Sequence, residues 1–199
     1  MKSNLKFVLG FSMLAMSAVF AETSAPTEYQ IKAAFLYNFA KFVEWPPETF
    51  QNTSGSFVIG ILGHDPFGSD LDNLLNGKTI QDKTLVLKRI SDIHEASDCN
   101  VLFISSSKES ELEAILGALK GRPVLTVSDI DQFVQRGGVV GFTVEDRRVR
   151  FSINTKVADA DGLKISSQLL KLAKTIISRR LENMKYACLP FKPIPSVRS

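Results

Sequence analysis

Val101-Leu102-Phe103-Ile104-Ser105, then Lys108 to Leu119 (KESELEAILGAL), then Val124-Leu125-Thr126-Val127 form the stretch that decides the fold. A short apolar run of strand length leads into an amphipathic helix, which returns to a second apolar run. Such strand, helix, strand units with almost continuously apolar strands predict a parallel sheet covered on both faces. Upstream, Phe57 to Leu62 and Thr84 to Arg89 read as two further strands, with Asn76-Gly77 as a turn signal between them. Downstream, Ile130 to Gln135 reads as a short helix stopped at Gly137-Gly138. Val139 to Val144 and Val149 to Ile153 then read as a hairpin around Asp146-Arg147. The expectation is a single α/β domain, a three-layer sandwich with a mainly parallel sheet flanked by helices and the hairpin at one edge.

Two helices frame this unit. Tyr29 to Trp45 places Ile31, Phe35, Phe39 and Phe42 at helical spacing, and Pro46-Pro47 ends it. Ser166 to Leu181 places Leu169, Leu170, Ala173, Ile176 and Ile177 on one stripe, with Lys171, Lys174 and Arg179 off it. Tyr37, Val43 and Trp45 add apolar surface beyond the first stripe, which predicts a protein contact or a homodimer interface there. Lys185 to Ser199, with Pro190, Pro193 and Pro195, reads as an irregular tail behind a domain spanning residues 22–184.

Met1 to Ala21 reads as an address. Lys2 and Lys6 precede an uncharged run from Phe7 to Phe20 and a small-residue end at Ala21, the pattern of a secretory signal. Crossing a bilayer takes about 20 apolar residues, and this run is shorter and interrupted by Ser12 and Ser17. Cleavage near Ala21 would release a chain without a membrane span into an exported, oxidising compartment. At 44% hydrophobic and 23% charged residues the composition is that of a folded globular protein. Removing Lys2 and Lys6 from 24 basic residues leaves 22 against 21 acidic ones, a balance that argues against a nucleic-acid partner.

Ligands of open α/β sheets bind at the carboxyl ends of the strands. His64, Asp65 and Phe67 follow the first strand, Ser105 the third and Ser128 the fourth, so these five are the candidate ligand-binding residues. Asp65-Pro66 also reads as a helix cap followed by proline at the first helical position. Catalysis finds little support. Ser105-Ser106-Ser107 lacks a glycine-flanked nucleophile turn and reads as a helix cap ahead of Glu109. Gly60, Gly63 and Gly68 do not have dinucleotide-binding spacing. His64 and His94 stand far apart with no accompanying ligand pattern, so neither a metal nor a cofactor is expected. Cys99 and Cys188 are a disulfide candidate in an exported protein, worth about 4–5 kcal/mol by chain entropy, with two separate thiols as the alternative.

Lys32 to Pro46 (KAAFLYNFAKFVEWP) resembles the opening signature of the YfiR/HmsC-like periplasmic proteins. GHDPFG at 63–68, CNVLFIS at 99–105, VLTVSD at 124–129, Gly137-Gly138, VRFSIN at 149–154 and the segment 162–173 follow in that family's order. The resemblance implies a periplasmic regulator, not an enzyme. It would repress an inner-membrane diguanylate cyclase by binding that enzyme's periplasmic domain, lowering cyclic di-GMP and biofilm formation. Members of that family carry additional cysteines and sense redox state through disulfides; this chain departs from that pattern, having only the Cys99 position, with Cys188 in the tail. The alternative is a periplasmic small-ligand binding protein without catalysis.

Overall fold

The computed structural model describes residues 25–50 and 55–178. The proposed leader, Cys188, the tail and the end of the last expected helix lie outside the described residues.

The central strands are apolar on both sides, and the structure divides each run between two cores. β1 (Val43–Glu44) is a short strand; β2 (Ser56–Leu62) points Phe57, Ile59 and Ile61 into one core and Val58 and Leu62 into the other. β5 (Val101–Ile104) splits in the same way, Val101 and Phe103 against Leu102 and Ile104. α1 (Glu28–Phe42) and α2 (Ser69–Leu75) contribute Leu36, Phe39 and Leu71 to the first core. α3 (Leu112–Leu119) contributes Leu112, Ile115 and Leu119 to the second. Helices therefore flank the sheet, as the near-continuous apolar strands require.

The sheet is mixed. With β3 (Thr79–Ile80), β4 (Lys83–Ile90), β6 (Leu125–Ser128), β7 (Val140–Glu145), β8 (Arg148–Asn154) and β10 (Thr175–Ile177), its order is β10-β8-β7-β6-β5-β2-β4-β3. β3–β4 and β7–β8 are antiparallel; the other neighbours run parallel. A separate two-stranded sheet joins β1 to β9 (Lys164–Ile165), pairing Val43 with Ile165.

The hairpin forms around Asp146 and Arg147, both at positive φ as a two-residue mirror-image turn requires, with Glu145 opposite Arg148. It is not at the edge. Thr175-Ile176-Ile177, expected in a helix, forms β10 and pairs in parallel with Ser152-Ile153-Asn154 of β8. α5 (Ser167–Leu172) stops because Ala173 turns extended and the Lys174 N–H donates to Phe151 O, after which three β-branched residues favour a strand.

Other expectations shift for local reasons. α1 is capped by Thr27 and Gln30 in a reciprocal capping box, and it ends at Phe42 because Val43 and Glu44 are drawn into β1. Its buried face carries Leu36, Phe39 and Ala40; Ile31 and Phe35 are half-buried, a rotation of the expected stripe. Phe39 stacks on Phe142 at 5.7 Å and meets Phe151 edge-on at 5.1 Å, contacts worth about 0.5–1.5 kcal/mol each beyond their area. Ile130 to Gln135 forms consecutive turns instead of an α-helix, with Gln132 at φ 54°. Phe133 covers Gly138, where a Cβ would sit 2.1 Å from the ring, so this glycine makes room for an aromatic side chain. α4 (Thr155–Ala160), started by Asn154 accepting from the Val157 N–H, was not anticipated.

Candidate functional site

At the carboxyl ends of the strands the expected residues come together, and each is tied into the framework. The His64 backbone N–H donates to Ser107 Oγ at 2.9 Å, and Ser107 Oγ donates to Ser105 Oγ at 3.2 Å, joining the loops after β2 and β5. A Cβ on Gly63, at φ +93°, would lie 2.5 Å from Ser107 Oγ; glycine permits this approach. Ser105 caps the 3-10 segment Ser106–Glu111 by accepting from the Ser107 N–H. Ser128 is fully buried: its hydroxyl donates to Ile104 O at 2.7 Å and accepts from the Ile130 N–H at 3.0 Å.

Asp65 does not cap a helix at Pro66. Its Oδ1 accepts from the Phe67 and Gly68 N–H groups while Oδ2 takes Arg89 Nε at 2.7 Å, and α2 starts only at Ser69. Arg89 reaches on to Asp72, whose carboxyl it holds below the usual range mainly through that hydrogen bond. Phe67 is buried edge-on between Tyr29 at 5.5 Å and Phe103 at 4.8 Å. No side chain among these five is left with an open role in the framework except the exposed His64 imidazole.

A feature missed in the sequence lies beside them. Lys32 is 2% exposed, and its ammonium bonds Asp129 Oδ2 and Glu28 Oε1, each at 2.6 Å, 4.4 Å above the Tyr29 ring. Tyr29 donates to the same Asp129 oxygen at 3.0 Å. Burial acts to lower the Lys32 pKa, but the bonds to Asp129 and Glu28 outweigh it and the value is raised. The cluster borders a cavity of about 420 Å³ that also reaches Asp131 and Glu145. The only available signal was a lysine inside an otherwise apolar helical face.

The amino ends differ. Ahead of β5, Asn100 clamps two strands: its N–H donates to Val58 O, its Oδ1 accepts from the Val58 N–H at 2.8 Å, and its carbonyl accepts from the Leu125 N–H. Because the Val58 N–H needs an acceptor, the amide orientation is fixed and Nδ2 takes the other side. Asn100 Nδ2 and Thr49 Oγ1 are the buried side-chain polar atoms without a partner among the described residues. Such an orphan costs about 1–3 kcal/mol. Both residues line one cavity of about 420 Å³ together with Cys99, Arg122 and Val124.

Of the three residues expected at a contact surface, Val43 (1% exposed) and Trp45 (7%) are buried within the chain. Trp45 packs edge-on against Phe57 at 5.0 Å and donates its indole N–H to Asn100 O at 3.3 Å. Their apolar surface is absorbed by β1 and the sheet. Tyr37 is half-buried, with Lys78 Nζ 4.6 Å and Lys41 Nζ 5.6 Å from its ring. Cys99 is buried and has no cysteine partner among the described residues, and burial is the main cause that pushes its thiol up to about 11. Cys188, its expected partner, lies outside the described residues. Among the described residues there is no group of three or more His, Cys, Asp or Glu placed to hold a metal, and no helix long and apolar enough to cross a membrane.

A parallel-rich mixed sheet with helices on its faces and a helix-borne aromatic cluster defines an α/β domain whose conspicuous polar loops serve its architecture. The family model described as YfiR/HmsC-like matches residues 29–174, and the chain belongs to that family. The family is one of periplasmic regulators of cyclic di-GMP signalling.

Proposed function

We propose that this protein represses an inner-membrane diguanylate cyclase by binding the enzyme's periplasmic domain, and so lowers cyclic di-GMP and biofilm formation without chemistry of its own. Membership of the YfiR/HmsC-like family across residues 29–174 is the observation that carries this reading. A binder that prefers one of two receptor states shifts the receptor toward that state by its differential affinity alone. The proposal places the leader at residues 1–21, cleaved near Ala21, which delivers the chain to the compartment where such a domain is exposed. The contact is assigned to α1 at the half-buried Tyr37, where Lys41 and Lys78 flank the ring and suit an acidic partner surface.

Titrating the mature chain against recombinant periplasmic domains of the source bacterium's membrane-bound diguanylate cyclases tests this. Saturable binding to one of them, weakened at least tenfold by Tyr37→Glu, is the expected result. Light scattering of the same samples reads whether the chain also pairs with itself.

A further inference from the structure

α3 is apolar on more than the side it buries, with Glu113 its sole charged residue. Leu112, Ile115 and Leu119 enter the second core, while Leu116 and Gly117 line a groove of about 390 Å³ whose other wall is Val157 and Ala160 of α4. Leu116 is half-buried, and Gly117 and Ala160 are exposed. The rim carries both signs of charge. Glu113 takes Arg136 at 2.7 Å, Asp161 accepts from the Gly121 N–H at 2.7 Å, and Lys120 and Lys156 complete it.

The described chain ends beside this groove. β10 sets Ile177 opposite Asn154 of β8, and Ile177 O accepts from Thr155 Oγ1 at 3.2 Å. Lys156 and Val157, on the groove wall, are the next residues of α4. The sequence then continues as Arg179-Arg180-Leu181-Glu182-Asn183-Met184, beyond the family match, which closes at residue 174. Leu181 and Met184 have the three-residue spacing of one helix face. Leu181 is four residues from Ile177, a reach of up to about 13 Å.

We propose that residues 179–186 of this same chain fold back into the groove between α3 and α4, with Leu181 and Met184 seated against Leu116 and Ala160. Apolar anchors at helical spacing laid into an apolar groove are a general mode of peptide docking. The tether is short, so docking is intramolecular and a modest apolar contact is enough to hold it. A rim of mixed sign suits a segment that carries Arg179, Arg180, Glu182 and Lys185 better than it suits an ionic ligand. Cys188 lies beyond the docked residues, so the assignment does not depend on its pairing. It also stands independently of the regulatory reading.

Hydrogen-exchange mass spectrometry of the mature chain tests this. The parent is compared with Ala160→Arg, which fills the groove from an exposed position, and with the double variant Leu181→Asp, Met184→Asp, which spoils the occupant. Amides of residues 180–186 should exchange about tenfold or more slowly in the parent than in either variant, at every protein concentration, while β2 and β5 keep their protection in all three. Cross-linking gives a second readout in a Cys188→Ser background. A short bismaleimide should join Ala160→Cys to Met184→Cys within one chain, and should not join Ser69→Cys on α2 to Met184→Cys. The proposal is overturned if residues 180–186 exchange at the unprotected rate in the parent, or if their protection survives Ala160→Arg. It is equally overturned if protection and cross-link arise only between chains, which would give the groove to a second copy.

Discussion

The two ends of the central sheet spend their polar groups in opposite ways. At the carboxyl ends, Asp65, Ser105, Ser128 and Lys32 are each bonded to neighbours in sequence or across the fold. At the amino ends, Asn100 and Thr49 keep buried groups without partners. The usual rule places ligands at the carboxyl ends because the loops there are free to vary. Here those loops are locked to each other, and the unmet hydrogen-bonding capacity has moved to the other side. The unsatisfied polarity of this fold therefore lies at the amino ends of the strands, opposite the loops that strand position singles out.

This contrast is breakable by mutation. Lys32→Met should have the largest effect, about 3 kcal/mol of lost stability in denaturant titration, because it leaves Asp129 beside Tyr29 with no counter-charge. The loss should depend on pH. Since the folded Lys32 pKa is raised, its contribution is fully present below the unfolded value near 10.5. It fades as pH rises through the folded value, so parent and variant should converge in strong alkali.

Ser128→Ala comes next, at about 2 kcal/mol, because it strands both Ile104 O and the Ile130 N–H in the interior. Asp65→Ala should cost about 1 kcal/mol: it removes two turn bonds and one of the arginine pairings, but Arg89 is exposed and keeps Asp72. Thr49→Val is the sharpest opposite case. Deleting an unpartnered buried hydroxyl should leave stability within about 0.5 kcal/mol of the parent, or raise it. A loss as large as that of Ser128→Ala would abolish the distinction between the two ends. Cys99 offers a smaller check: buried and with its thiol pushed up to about 11, it should resist iodoacetamide at pH 8 until the chain is unfolded. Non-reducing peptide mapping would read its pairing with Cys188 in the same samples.

Much of the architecture was legible because periodicity is local. The apolar runs at Phe57 to Leu62 and Val101 to Ile104 declare strands, and the positive-φ pair Asp146-Arg147 behaves as a turn between alternating segments. What stayed hidden depends on distant partners. β10 was masked because Leu169, Leu170, Ala173, Ile176 and Ile177 fit a helical stripe; only the bond from Lys174 to Phe151 O ends the helix. The Ile80 to Lys83 hairpin turn, with Gln81 and Asp82 at positive φ, carries no glycine to announce it. Trp45 looked like surplus surface because its ring partner Phe57 and its acceptor Asn100 lie 12 and 55 residues away. Position at the carboxyl ends of the expected strands brought out His64, Asp65, Phe67, Ser105 and Ser128. It passed over Asn100, whose significance lies in the one hydrogen bond it fails to make.

Intracellular cyclic di-GMP, quantified in the source bacterium with the gene deleted and then restored, tests the central claim most directly. The regulator account predicts that the nucleotide rises on deletion, returns on complementation, and stays high when the restored copy carries Tyr37→Glu. Levels that do not change on deletion, in a strain where the chain is shown to be exported and folded, would contradict it.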